Sequence, residues 1–195
     1  MSVRHSEAAK ADLRHAAHPP VDAAIPDLGA GDHHLGDLNA PLHLIEYGDY
    51  QCPFCALAHP GVTDLIRRHG SDLVFAFRHF PLVSQHPHAW LAACAAEAAA
   101  RQGRFWEMHN HLLSHQHELT HDDLATHARA LGLDMDQFER DLMDNQVAEL
   151  VREDALGGVH GGVRGTPTFF VNGRRLEGGY REDEIEAALS AGRST

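Results

Sequence analysis

The sequence Cys52-Pro53-Phe54-Cys55 constrains this chain more than any other feature, because of where it falls. The apolar run Leu42-His43-Leu44-Ile45-Glu46-Tyr47 reads as a strand, Gly48-Asp49-Tyr50-Gln51 as a turn, and Ala56 to His69 as a helix. Two thiols separated by two residues at such a junction point to redox chemistry. A Cys at the first turn of a helix faces unpaired backbone N–H groups and the positive end of the macrodipole, which favour thiolate over thiol. Cys52 is therefore the candidate nucleophile. Pro53 suits the first helical turn, where its missing N–H costs nothing. Cys55 lies within reach to close a disulfide and is expected to sit deeper, shielded by Phe54 and the first turn.

A C-x-x-C pair can also be half of a structural zinc site, which needs two more ligands. His59, four residues after Cys55, is one candidate. Cys94, the remaining cysteine, stands in the alanine-rich stretch Ala92-Ala93-Cys94-Ala95-Ala96 with no ligand beside it, and reads as a small buried hydrophobe. No metal is expected at the pair. Far downstream, Gly165-Thr166-Pro167-Thr168-Phe169-Phe170-Val171-Asn172-Gly173 reads as a strand entered at Pro167 and closed by an Asn-Gly hairpin turn, with Arg174 to Glu177 returning as its partner. By base rate alone the Thr166-Pro167 bond would be trans.

Three segments together give the chain a resemblance to bacterial DsbA-like thiol–disulfide oxidoreductases of the thioredoxin superfamily. They are Leu44 to Cys55, Phe77-Arg78-His79-Phe80-Pro81-Leu82, and Gly165 to Gly173, and the resemblance extends from about Asp32 to Leu189. It implies an α/β fold with a thioredoxin-like core, a βαβ unit followed by a β-hairpin and a C-terminal helix, interrupted by a helical insertion at about 85–160. It also implies a cis Thr166-Pro167 bond packed against the cysteines and a buried acid at Glu46. A cis bond there would offer the Thr166 backbone to an extended substrate by strand addition. Pro53, Phe54, Thr166 and Pro167 are the expected substrate-binding residues; Cys52, Cys55 and Glu46 are the expected catalytic ones.

This sequence departs from the resemblance at two places. Phe54 stands where related periplasmic proteins often carry His, which removes a charged donor to Cys52 and predicts a less oxidising pair. Lys10 is the only lysine, so Glu46 has no lysine near it in sequence. A buried carboxyl without a cationic partner has its pKa raised by desolvation, which suits a proton acceptor; the other reading has Glu46 on a strand edge in water.

Length and composition fit one enzyme of this kind, with 195 residues and 43% hydrophobic content. A formal charge of −12 argues against nucleic acid or anionic membrane surfaces as partners. Residues 1–31 read as a flexible or loosely docked leader, and 32–195 as the thioredoxin-like domain. Met1 to Leu38 lacks the ~7–15-residue apolar core of a secretion signal, so a cytoplasmic location is expected. Further helices are expected over Ala89 to Gln102, from Phe105 through Leu113, after the capping pairs Thr120/Asp123 and Asp134/Gln137, over Val147 to Leu156, and over Arg181 to Leu189. The Gly157-Gly158 and Gly161-Gly162 pairs are expected to end the fifth of these.

Eighteen histidines are many for this length. His111 with His115 and His117 with His121 have i,i+4 spacing that can bind a metal on a helix face, but no acidic ligand completes a motif, and a solvated surface is the favoured reading. Protonating all eighteen would reverse the sign of the net charge in mildly acidic solution. His59 reads as a surface or packing residue. The sequence therefore predicts exchange of disulfides with protein or peptide cysteines, with no cofactor beyond the Cys52–Cys55 couple and with a redox partner that it does not identify. A small-molecule isomerase on the same fold and a non-catalytic metal-binding module are the alternatives.

Overall fold

A computed structural model of the chain describes residues 25 and 27–192. Strand β2 (Leu42–Gly48) is central, and its alternation explains why it reads as a nearly unbroken apolar run. Leu42 and Leu44 pack into the main core on one face, while Ile45 and Tyr47 join a second cluster on the other. A strand buried on both faces needs apolar residues at odd and even positions alike. Helix α1 (Pro53–His69) carries the chain across to β3 (Leu73–His79), which lies parallel to β2 with Leu44 opposite Phe75 and Glu46 opposite Phe77. This is the expected βαβ unit.

After β3 come five helices: α2 (Ala89–Ala100), α3 (Phe105–Ser114), α4 (His121–Ala130), α5 (Met135–Leu142) and α6 (Asn145–His160). The alanines of α2 are buried almost throughout, letting its neighbours approach closely. Thr120 and Asp123 form the expected capping box at α4, and the Asp134 side chain accepts from the Gln137 amide at α5. β4 (Thr168–Val171) then returns antiparallel to β2. A turn at Asn172 and Gly173, both with positive φ, leads to the short β5 (Arg174–Arg175), and α7 (Glu182–Gly192) closes the described chain. The fold is thioredoxin-like with a helical insertion, and with β1 (His33–Leu35) at one edge the sheet order is β1-β3-β2-β4-β5.

Two features differ from the sequence reading. A three-residue strand, β1 (His33–Leu35), pairs antiparallel with β3 and was not expected, being too short to show alternation. Helix α6 does not end at Gly157-Gly158 but runs to His160. The reason is space, not backbone freedom. A Cβ at Gly158 would lie 2.7 Å from the Phe80 ring and 2.9 Å from the Tyr47 ring, so the glycine lets α6 press onto the sheet. Only the second pair ends the helix, with Gly162 at φ +77°.

Of the expected leader, residues 1–24 and 26 lie outside the described residues. Ile25 is buried against Phe80 and Val163 in the second core cluster. Arg78 fixes the segment that follows, donating to Asp32 at 2.6 Å and to the Asp27 carbonyl at 3.1 Å.

Candidate active site

The cysteines lie where β2 hands over to α1. Cys52 is the helix N-cap residue and Pro53 occupies the first turn; the Cys52 carbonyl accepts from the amides of Cys55 (3.1 Å) and Ala56 (3.4 Å). Both residues of the pair are free thiols, yet their surroundings differ. Cys52 keeps a thin exposed edge, at 3%, whereas Cys55 has none. The Cys52 thiol donates to the Thr166 carbonyl at 3.2 Å, across 114 residues of sequence. The Thr166–Pro167 bond is cis. The Thr166 hydroxyl is buried there without a hydrogen-bond partner, leaving a donor beside the sulfur.

Charge separates the two thiols further. A hydrogen bond from Cys55, outweighing partial burial and helped by Thr166 and the backbone amides of Cys55 and Phe54, lowers the Cys52 pKa to about 5. Burial pushes the Cys55 thiol well above its ordinary value, and the neighbouring Cys52 and Glu46 push in the same direction. The Asp49 amide, 3.4 Å from the Cys55 sulfur, works against them. The pair is therefore one stabilised thiolate beside one retained proton.

Glu46 lies on the face of β2 that carries Leu42 and Leu44, two residues before the strand ends, and is 2% exposed. Its Oε1 has no hydrogen-bond partner. Burial, and then the charge of Cys52, raise its pKa to about 8. Lys10, the only lysine, lies outside the described residues.

The structure thus gathers Cys52, whose edge is barely exposed, with the more open Pro53, Thr166 and Pro167, and buries Cys55 and Glu46. Phe54 is 50% exposed with its ring 5.5 Å from that of Tyr180, while Cys55 lies within the main apolar core. Leu57, one turn on, is another exposed apolar side chain, at 66%.

Two residues escaped the sequence reading. Gln116, in the connection from α3 to α4, donates to the carbonyls of Tyr50 (2.9 Å) and Cys52 (2.7 Å), tying the helical insertion to the cysteine loop. Nothing local in the sequence signals this contact. Asp49 is buried in the same loop, and its carboxylate accepts from the Gln51 amide two residues on. That is an Asx turn, a pattern that Gly48-Asp49-Tyr50-Gln51 does signal.

The histidines do other work. His109 is buried with its Nδ1 3.1 Å from the Tyr50 hydroxyl, and its pKa is held well below the usual value by burial. His59 packs edge-on to it at 5.3 Å. His111 lies 3.2 Å, Nδ1 to Nδ1, from His127, and His121 pairs with Glu139. Among the described residues no group of three or more His, Cys, Asp or Glu side chains is arranged to hold a metal ion. Cys94 is buried in α2 within the main core. No helix among them is long and apolar enough to cross a membrane.

Comparison with known proteins agrees with this architecture. BdbD from Bacillus subtilis, in its oxidised form, superposes with a TM-score of 0.78 at 23% identity, covering 89% of this chain and all of that one. Wolbachia pipientis alpha-DsbA1 superposes at 0.71 and 22% identity, covering 84% and 92%. Among curated sequences, the Na(+)/H(+) antiporter NhaA 1 of Salinispora arenicola is 44% identical over 171 residues, 88% of this chain and 26% of that protein. The chain thus spans about a quarter of the length of the antiporters it matches. The model of the family described as Thioredoxin matches residues 29–191, so the chain belongs to the thioredoxin family, with the fold of its DsbA-like members.

Proposed function

We propose that this chain exchanges disulfides with protein or peptide cysteines through the Cys52–Cys55 couple. The observation that carries this reading is the opposite treatment of the two thiols: Cys52, at the helix N-cap with a thin exposed edge and its sulfur 3.2 Å from the Thr166 carbonyl, has its pKa lowered to about 5, while that of Cys55 is raised and its side chain fully buried. In the reducing direction the Cys52 thiolate attacks a substrate disulfide, forming a mixed disulfide and releasing one substrate thiolate. Glu46 takes the Cys55 proton. The Cys55 thiolate then attacks Cys52 Sγ, the Cys52–Cys55 bond forms, and the second substrate thiolate leaves with the electron pair. Oxidation of a substrate dithiol reverses these steps. The Thr166 backbone, beside the nucleophile, offers an edge for an extended substrate segment, flanked by Pro53, Phe54 and Pro167.

A cytoplasmic location would favour the reducing direction, since the glutathione pool keeps an ordinary pair reduced. The antiporter relatives favour one further reading: redox service to a membrane transport protein, in which case the trapped partner is such a protein. Non-reducing electrophoresis of cell extract is the test. Cys55→Ser is expected to accumulate mixed disulfides with protein partners, the double variant lacking Cys52 to trap none, and Cys94→Ser to behave like wild type. Trapping through Cys94, or none on Cys55→Ser while wild type exchanges disulfides, would refute the roles given to the thiols.

A further inference from the structure

Asp49 is tied into the cysteine loop through both its side chain and its backbone. Its carboxylate is fully enclosed. It accepts from the Gln51 amide at 2.8 Å and the Leu82 amide at 2.9 Å, and lies 2.7 Å from His86 Nδ1. Three donors thus converge on one side chain, two of them from the connection that follows β3. The Asp49 backbone is engaged on both sides as well. Its carbonyl accepts from the Cys52 amide at 3.1 Å, and its amide donates to Cys55 Sγ at 3.4 Å.

The amide is the consequential end. Cys55 is buried, and its sulfur must carry negative charge when it displaces substrate from Cys52. Burial opposes that charge, and the Asp49 N–H favours it. A backbone donor is useful there only if it is held in place as the charge develops, and a side chain anchored at three points across two loops holds it. We infer that Asp49, clamped by His86 and by the Gln51 and Leu82 amides, is a positioning residue for the resolving step: it aims its own N–H at the Cys55 sulfur. This rests on the proposed exchange reaction and assigns a role within its second half.

The two halves can be timed separately with oxidised glutathione as the disulfide. Cys52 attack forms the Cys52–glutathione mixed disulfide and releases one glutathione thiolate; Cys55 attack forms the Cys52–Cys55 bond and releases the other. Acid quenching and mass spectrometry follow both. Asp49→Ala is expected to slow resolution about tenfold while leaving Cys52 attack within about twofold, the scale set by a misplaced hydrogen bond to a developing charge. Asp49→Asn, which keeps part of the acceptor set, and His86→Ala, which removes one of three donors, should each slow resolution by about threefold, so the idea remains testable if the Ala variant does not fold. Equal slowing of both steps, or unchanged resolution in Asp49→Asn and His86→Ala, overturns the positioning role. Cys55→Ser run alongside separates the two levels. If it forms no mixed disulfide with glutathione, the exchange reading itself fails; if it does and the Asp49 and His86 variants resolve normally, only this inference fails.

Discussion

Two of the carboxyls buried in this protein, Glu97 and Glu46, have opposite fates. Glu97 on α2 accepts from His33 at 2.7 Å and from His79 at 2.9 Å. Burial works against its ionisation, but those hydrogen bonds outweigh it and hold the pKa at about 2. Glu46 is as thoroughly buried, has one oxygen without a partner, and is raised to about 8. Burial alone therefore does not decide what a core acid does; its donors do. Glu97 is a fixed charge that joins β1, β3 and α2. Glu46 is a proton store beside two sulfurs.

The comparison breaks most visibly by removing the fixed charge. Glu97→Ala should cost about 3 kcal/mol of stability, because it deletes two hydrogen bonds to a charged group and strands buried His79. Thermal melts would report it, while glutathione exchange per folded molecule should stay near wild type. A loss of exchange with an unchanged melt would reverse the two roles.

The pH dependence sharpens the contrast, because the two acids act in opposite senses. Glu97, with its folded pKa lowered from 4.5 to about 2, contributes stability that is present above pH 4.5 and lost as pH falls through about 2. Glu46, raised from 4.5 to about 8, contributes stability that is present below pH 4.5 and lost as pH rises through about 8. Glu46→Gln should remove that alkaline loss, a gain of a few kcal/mol at most above pH 8 relative to wild type. Denaturant midpoints across the range would test it, and an unchanged slope between pH 5 and 8 would place Glu46 in a solvated site. The smallest effect is expected at the link from insertion to loop. Gln116→Ala should cost about 1 kcal/mol and raise proteolytic nicking between α3 and α4. Unaltered stability and cleavage would mean that its two hydrogen bonds do not hold the insertion in place.

What the sequence reveals divides along the range of the interactions. β2, α1 and β3 are legible because the apolar run, the helix-start Pro53 and the second apolar run Leu73 to Arg78 are local patterns. The capping pairs at Thr120 and Asp134 are equally local, and the structure places helices after both. Spacing in the sequence pairs Cys52 with Cys55, but Glu46 and Thr166 join them only through the resemblance, since nothing local says that Glu46 faces inward or that β4 returns beside β2. The failures are nonlocal too. Gly158 reads as a helix breaker until Phe80 and Tyr47 are seen to fill the space where its side chain would be. Gln116 and His86 act on the cysteine loop from segments with no motif of their own.

The claim that most needs testing is that Glu46 accepts the Cys55 proton. Its direct measurement is the pH profile of mixed-disulfide resolution with oxidised glutathione, in wild type and in Glu46→Gln. Resolution in wild type should rise with pH through a transition near 8, and Glu46→Gln should lose that transition and resolve about tenfold more slowly at its plateau, within the range of a lost general base. A variant that keeps the transition near 8 and the wild-type rate would contradict the account.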